Sequence, residues 1–144
     1  MELKEAENIV RSYLLSQKPL ARHTCEIFMD GSLSSRPEPD ESFDFPGGTV
    51  AVEYESGMPV MSVHKYWWLL HNSDIMAEGK KLAVVIIILD VDAAPRDQLA
   101  RQKATAEQLQ KDYPGFQCFF VDYKEATPDA ISAALAKAFD VVKA

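Results

Sequence analysis

The residues best suited to chemistry lie in the segment RPEPDESFDFPGGTVAVEYESG, positions 36–57. This segment carries six carboxylates between Glu38 and Glu55. Its first residue, Arg36, is its only basic residue. Two of the acids, Glu53 and Glu55, interrupt the apolar strand pattern VAVEYE. Like charges at this density repel one another unless a cation compensates them, and carboxylate oxygens suit Mg²⁺. The segment therefore predicts a divalent-cation site.

A β-hairpin would bring these acids together. The apolar stretches on either side of the Pro-Gly-Gly turn at 46–48 are typical of two paired strands. With a two-residue loop, Phe45 pairs with Gly48, and Asp40 then lies across from Glu53. Residues that face each other in this way have Cβ atoms about 5 Å apart. Two carboxylates are therefore expected to oppose each other near the end of the hairpin.

The same hairpin leaves one choice of ligand open. Glu55 lies two residues beyond Glu53 and shares its strand face. A longer loop would shift the partner of Glu53, and Asp44 then becomes the competing acid. The candidate metal ligands are therefore Asp40 or Asp44, together with Glu53 and Glu55.

The remaining sequence supplies the elements that must position the hairpin. Helical periodicity predicts a helix over 2–17, with Glu7 at the border of its apolar arc. The apolar run at 82–89 is typical of a strand that is covered on both faces. The predicted order is α-β-β-β-α-β-α-β-α, a mixed sheet with helices on both faces and right-handed crossovers between parallel strands. The predicted class is α/β, in a single domain over 1–144.

At these residues the chain resembles the PD-(D/E)XK nucleases, the restriction-endonuclease-like superfamily. Asp40 stands in a literal PD, and twelve residues separate it from Glu53 in VEYE. The order of a leading helix, three-stranded meander, helix and further strand is similar to that family's core and covers most of the chain. The resemblance implies a three-layer α/β/α fold in which Asp40 and Glu53 hold Mg²⁺ or Mn²⁺. It also implies that a glutamate of the first helix joins them, here Glu7.

One position departs from the family pattern. Glu55 stands where the family usually carries a lysine. Some members carry Glu there and still cleave, with the acid binding a second metal or polarising water, and others place the lysine on the following helix. In SVHKYWWLL, Lys65 would take that role, with His64 as the lesser alternative. The catalytic candidates that the resemblance implies are therefore Glu55, Lys65 and Glu7.

The activity that the resemblance implies is metal-dependent hydrolysis of phosphodiester bonds in nucleic acid, with DNA favoured over RNA. The resemblance also allows a homodimer, whose interface would include Trp68, a side chain expected to be exposed in the monomer. The alternative function is a binding or interaction module that keeps the fold without cleaving, because position 55 lacks the usual lysine. The discriminating feature is whether Asp40, Glu53, Glu55 and Glu7 converge beside Lys65.

A third hypothesis comes from IIILDVDAAP, positions 86–95. This strand resembles the nucleophile strand of haloacid dehalogenase phosphatases, with Asp90 as nucleophile and Asp92 as acid. The Gly-Thr that usually follows is Ala93-Ala94 here, and only 52 residues remain, too few for that fold. This hypothesis therefore ranks last.

Composition limits the possible partners and surroundings. The net charge of −7 arises in the first half, where residues 1–75 carry 6 basic and 12 acidic side chains. Such a balance argues against a nonspecific nucleic-acid coat, since Lys and Arg supply most phosphate affinity. The longest apolar run has eight residues, against about 20 for a membrane span. With no signal-peptide pattern and two distant cysteines, Cys25 and Cys118, a cytoplasmic protein without membrane contact is expected.

Overall fold

The computed structural model describes residues 1–17, 22–24, 39–56, 62–90 and 96–143, and the following description refers to these ranges. They form a mixed five-stranded sheet and four α-helices, none of them long and apolar enough to span a membrane. The elements in chain order are α1 (Leu3–Ser16), β1 (Arg22–Thr24), β2 (Glu41–Phe45), β3 (Gly48–Glu55), α2 (Ser62–Asn72), β4 (Lys81–Ile88), α3 (Arg96–Asp112), β5 (Phe116–Val121) and α4 (Pro128–Lys143). The α/β class and the predicted order are therefore confirmed.

The strands lie in the sheet in the order in which they occur along the chain. Strands β1, β2 and β3 form an antiparallel meander, whereas β4 and β5 run parallel to β3. Each parallel pair is joined through a helix, α2 between β3 and β4 and α3 between β4 and β5. The interior strand β4, which lies between β3 and β5, is buried along almost its whole length, as its unbroken apolar run predicts.

Two apolar cores lie on opposite faces of this sheet. Residues of α1 and α4 pack on one face, and residues of α2 and α3 pack on the other. Because side chains alternate along a strand, Val52 and Tyr54 of β3 point towards α1 and α4. Ala51, Glu53 and Glu55 therefore point towards α2.

The β2–β3 hairpin has the predicted register. Phe45 pairs with Gly48, and Glu41 pairs with Val52 at the other end of the ladder. Asp40 directly precedes β2, so the same register brings it opposite Glu53. The two-residue turn therefore determines the register that places Asp40 opposite Glu53.

Helix α2 exposes a different tryptophan from the one expected. Trp67 is 44% exposed and its ring lies 4.5 Å from that of His71. Trp68 is partly buried against the core that α2 and α3 share. The expectation of an exposed Trp68 is therefore wrong, because the rotation of α2 turns the neighbouring Trp67 to solvent.

Candidate functional site

The centre of the candidate site is Glu53, a carboxylate that is only 2% exposed. Its Oε1 accepts a hydrogen bond from Lys65 Nζ at 2.8 Å, and its Oε2 accepts one from the Tyr66 hydroxyl at 2.5 Å. Burial raises the pKa of Glu53, and the two donors on α2 act in the opposite direction. A buried carboxylate is tolerated when it is paired and hydrogen-bonded in this way. Both of its oxygens are therefore held in fixed directions.

Glu55 lies on the same strand face in a different environment. It is half-buried, and the Ser62 hydroxyl at the start of α2 donates a hydrogen bond to its Oε1. Burial raises the pKa of Glu55 to about 7, and the negative charges of Glu53 and Asp40 act in the same direction. Lys65 partly opposes this shift. Glu55 is therefore a carboxyl group that can exchange a proton near neutral pH.

Asp40 completes the group from the other strand of the hairpin. Its side chain is exposed, and its Oδ2 accepts a hydrogen bond from the backbone N–H of Tyr54 at 2.8 Å. This bond ties Asp40 to the strand that carries both glutamates. The structure thus brings Asp40, Glu53, Glu55 and Lys65 together at one end of the hairpin.

Asp44, the competing metal ligand, lies elsewhere. It pairs with Thr49 beside the turn, and the Thr49 hydroxyl donates a hydrogen bond to its Oδ1 at 3.1 Å. Asp44 lies four positions after Asp40 along the extended chain, a distance of about 13 Å. The choice between the two aspartates therefore falls on Asp40, because the register directs Asp44 to the far end of the hairpin.

Glu7 lies on the other face of the sheet from Glu53 and Glu55. Its Oε2 pairs with Arg11 at 3.2 Å, and Arg11 Nε also contacts the buried Glu41 at 3.1 Å. The Tyr54 hydroxyl donates a second hydrogen bond to Glu41 at 2.8 Å. A cavity of about 240 Å³ is lined by these residues and by Asp40. Glu7 therefore approaches the site only through this cavity and does not join the two strand glutamates, because β3 lies between them.

Sequence reasoning missed Tyr66 and Ser62. Tyr66 fits the apolar face of α2, where it is fully buried, and its hydroxyl gave no separate signal. Its pKa lies well above the ordinary value, first through burial and then through the charge of Glu53, so it remains a hydrogen-bond donor. A buried Tyr needs a polar partner. One sequence pattern could have identified Tyr66 as a site residue. It is a Tyr next to a Lys in an apolar helix that follows an acidic strand.

The remaining candidates are His64, Asp90 and Asp92. His64 is exposed on α2. Asp90 follows β4 and is half-buried, and Asp92 lies outside the described residues. The phosphatase hypothesis therefore gains no support.

Of the carboxylates in this group, Asp40 and Glu53 are the candidate ligands for a divalent cation, and both oxygens of Glu53 already accept hydrogen bonds from Lys65 and Tyr66. Among the residues that the structure describes, no three or more His, Cys, Asp or Glu side chains are arranged to hold a metal ion together. Mg²⁺ typically uses one or two protein carboxylates and completes its shell with water and substrate oxygens. Asp40 and Glu53 would supply two carboxylates. A cation bound to them would reduce the electrostatic repulsion among Asp40, Glu53 and Glu55. The donor set is therefore compatible with Mg²⁺ or Mn²⁺.

Comparison of the chain with protein-family models, with curated proteins and with solved structures found no match.

Proposed function

We propose that this chain is a metal-dependent nuclease-like hydrolase that cleaves phosphodiester bonds of nucleic acid, with DNA favoured over RNA. The observation that carries the proposal is the contact between Lys65 on α2 and Glu53 on β3. It supplies a lysine beside the acidic pair although position 55 of the motif is a glutamate. The proposed fold is the restriction-endonuclease-like one, and the observed element order supports it.

In this proposal Asp40 and Glu53 hold the cation, Mg²⁺ or Mn²⁺. When bound, such a cation supplies positive charge to the phosphate and makes nearby water more acidic. Tyr66 and Lys65 fix the two oxygens of Glu53, so its carboxylate does not rotate during binding.

Glu55 is the proposed general base. A carboxyl group with a pKa of about 7 is partly ionised at neutral pH, so it can accept a proton from the attacking water. Its bond from Ser62 orients the group. Lys65, only partly exposed, is the cation placed to stabilise charge on the phosphate.

The decisive experiment is a Mg²⁺ and Mn²⁺ titration on single-stranded DNA, double-stranded DNA and RNA. Wild type is compared with Glu53→Gln, which keeps the size of the side chain, and with Lys65→Met. We expect cation-dependent cleavage that falls at least about 100-fold in both variants. Asp44→Asn is the matched control, because it removes an acid from the same hairpin outside the cluster, and it should retain activity.

Two results would contradict the proposal. One is the absence of cation-dependent cleavage of any of the three substrates by folded wild type. The other is equal cleavage by wild type and Glu53→Gln, which indicates a contaminating nuclease.

A second candidate function is a noncatalytic binding module on the same fold. The observation that favours it is that Lys65 and Tyr66 already donate to both oxygens of Glu53, and Ser62 donates to Oε1 of Glu55. Retained nucleic-acid binding without cation-dependent cleavage would select this function.

A further inference from the structure

A second lysine–carboxylate pair lies on the same sheet edge as the proposed site. Lys103 Nζ of α3 contacts Asp122 Oδ2 at 3.1 Å, directly after β5. Because β3, β4 and β5 are parallel, their carboxyl ends meet at one edge. Glu55 pairs with Ile88, and Ile87 pairs with Val121, so Asp122 lies level with Glu55 two strands away. That separation is about 10 Å.

A cavity of about 480 Å³ opens beside this second pair. Its polar lining consists of Lys103, Asp122, Tyr123, Lys124 and Glu125, and we call it the β5 pocket. Lys124 Nζ lies 5.9 Å from the centroid of the Tyr123 ring, so cationic and aromatic groups face the same space. The volume falls in the range of ordinary ligand pockets.

Asp122 also has an unsatisfied atom at this pocket. Its Oδ1 is buried, and no donor reaches it within the described part of the chain. Buried acceptors without a donor are uncommon and indicate a missing partner. Because Oδ1 is buried, a ligand reaches it only after the partly exposed Asp122 side chain turns towards the pocket, and the exocyclic amino group of a nucleobase is then a donor of the required kind.

We propose that the β5 pocket binds the base of an unpaired nucleotide whose strand also reaches Glu55, and that it makes the protein selective for single-stranded nucleic acid. This inference rests on the proposed function and adds the strandedness of its substrate. A base inside a duplex is stacked and paired, so it cannot lie against Tyr123, whereas an unpaired base stacks on an aromatic ring. The span of about 10 Å equals the axial rise of about three stacked nucleotides. One strand can therefore reach both places.

Fluorescence anisotropy on the full chain tests this proposal. A labelled single strand of about twelve nucleotides is compared with its duplex, in EDTA so that cation-dependent cleavage does not proceed. We expect the Kd for the single strand to be at least about tenfold lower than for the duplex. Tyr123→Ala should raise the single-strand Kd about 5- to 100-fold, and Tyr123→Phe should leave it nearly unchanged.

Charge variants provide a matched comparison. Lys124→Glu removes a cation from the β5 pocket, whereas Lys137→Glu makes the same change on α4, outside this pocket. Only Lys124→Glu should weaken single-strand binding markedly. Because Lys124 is exposed, this variant also serves if Tyr123→Ala fails to fold.

The outcomes separate the pocket from the activity. Three outcomes would overturn the proposal for the β5 pocket. They are equal Kd values for single strand and duplex, no binding at all, and unchanged binding by folded Tyr123→Ala and Lys124→Glu. Cleavage that depends on Glu53 can persist in each of these cases. Single-strand binding that depends on Tyr123 without any cation-dependent cleavage would instead support the pocket and refute the hydrolase.

Discussion

Glu53 and Glu55 lie on the same face of β3, but the residues around each of them give the two carboxyl groups different properties. Glu53 is buried and receives hydrogen bonds from Lys65 and Tyr66, which favours its ionised form against burial. Glu55 is half-buried and has the charges of Glu53 and Asp40 beside it. In the proposed function this difference assigns the cation to Glu53 and proton transfer to Glu55. The difference arises from α2, whose donors reach one glutamate more completely than the other.

The raised pKa of Glu55 predicts how stability depends on pH. Between about pH 4.5 and 7 the unfolded chain has released this proton while the folded chain retains it. The folded state therefore binds more protons, and its free energy of unfolding should fall as pH rises through about 7. We expect a loss of about 1 kcal/mol, after a discount for solvent screening.

Urea denaturation at about pH 5 and about pH 7.5 measures this loss, with Glu55→Gln as the variant that removes the titration. The wild type should lose more stability than Glu55→Gln between the two pH values. A loss of the same size in both proteins would show that Glu55 does not cause it.

At the scale of the elements, the hairpin was predictable and the docking of the helices was not. The turn at 46–48 fixes the pairing of Phe45 with Gly48, and the pairing alone sets Asp40 against Glu53. A helical wheel points Lys65 away from the apolar arc of α2. Its long side chain nevertheless reaches Glu53, because α2 packs on the sheet face that carries Glu53. Contacts between elements depend on packing that residue periodicity does not encode.

Glu7 illustrates the same limit. Its position beside the apolar arc of α1 is visible in the sequence, but the sheet face on which α1 packs is not. The structure places α1 with α4, on the face opposite to Glu53. The ion pair with Arg11 therefore connects Glu7 to Glu41 and not to the strand glutamates.

The close contact between the hairpin turn and β4 leads to a prediction for Gly48. A Cβ added at this position would lie 2.0 Å from the carbonyl oxygen of Lys81. Gly48→Ala should therefore push β3 away from β4 and lower the free energy of unfolding by about 2–3 kcal/mol. Chemical denaturation measures this change.

Gly79→Ala is the comparison variant for Gly48→Ala. Gly79 has a φ of +77° but no atom within 4 Å of an added Cβ, so only backbone strain opposes the substitution. It should cost about 1 kcal/mol. Equal losses for the two variants would show that the approach of Lys81 is not the limiting contact.

At the scale of the whole molecule, charge and topology act together. The acidic excess lies in the first half of the sequence, which contains the hairpin. The three lysines of the proposed substrate surface, Lys65, Lys103 and Lys124, lie on or after the later elements α2, α3 and β5. The parallel strands bring both sets to one sheet edge. A substrate phosphate would therefore meet acids and lysines within a short distance.

This arrangement predicts a shallow salt dependence of nucleic-acid binding. A single strand that contacts three lysines releases few counterions, so the slope of log Ka against log salt should be about −2. A fourfold rise in KCl, from about 50 to about 200 mM, then weakens binding about 16-fold. Anisotropy titrations on the full chain measure the slope, and Lys124→Ala should make it shallower by about 0.7. A slope steeper than about −5 would instead require a broad basic surface, which a chain with net charge −7 does not offer.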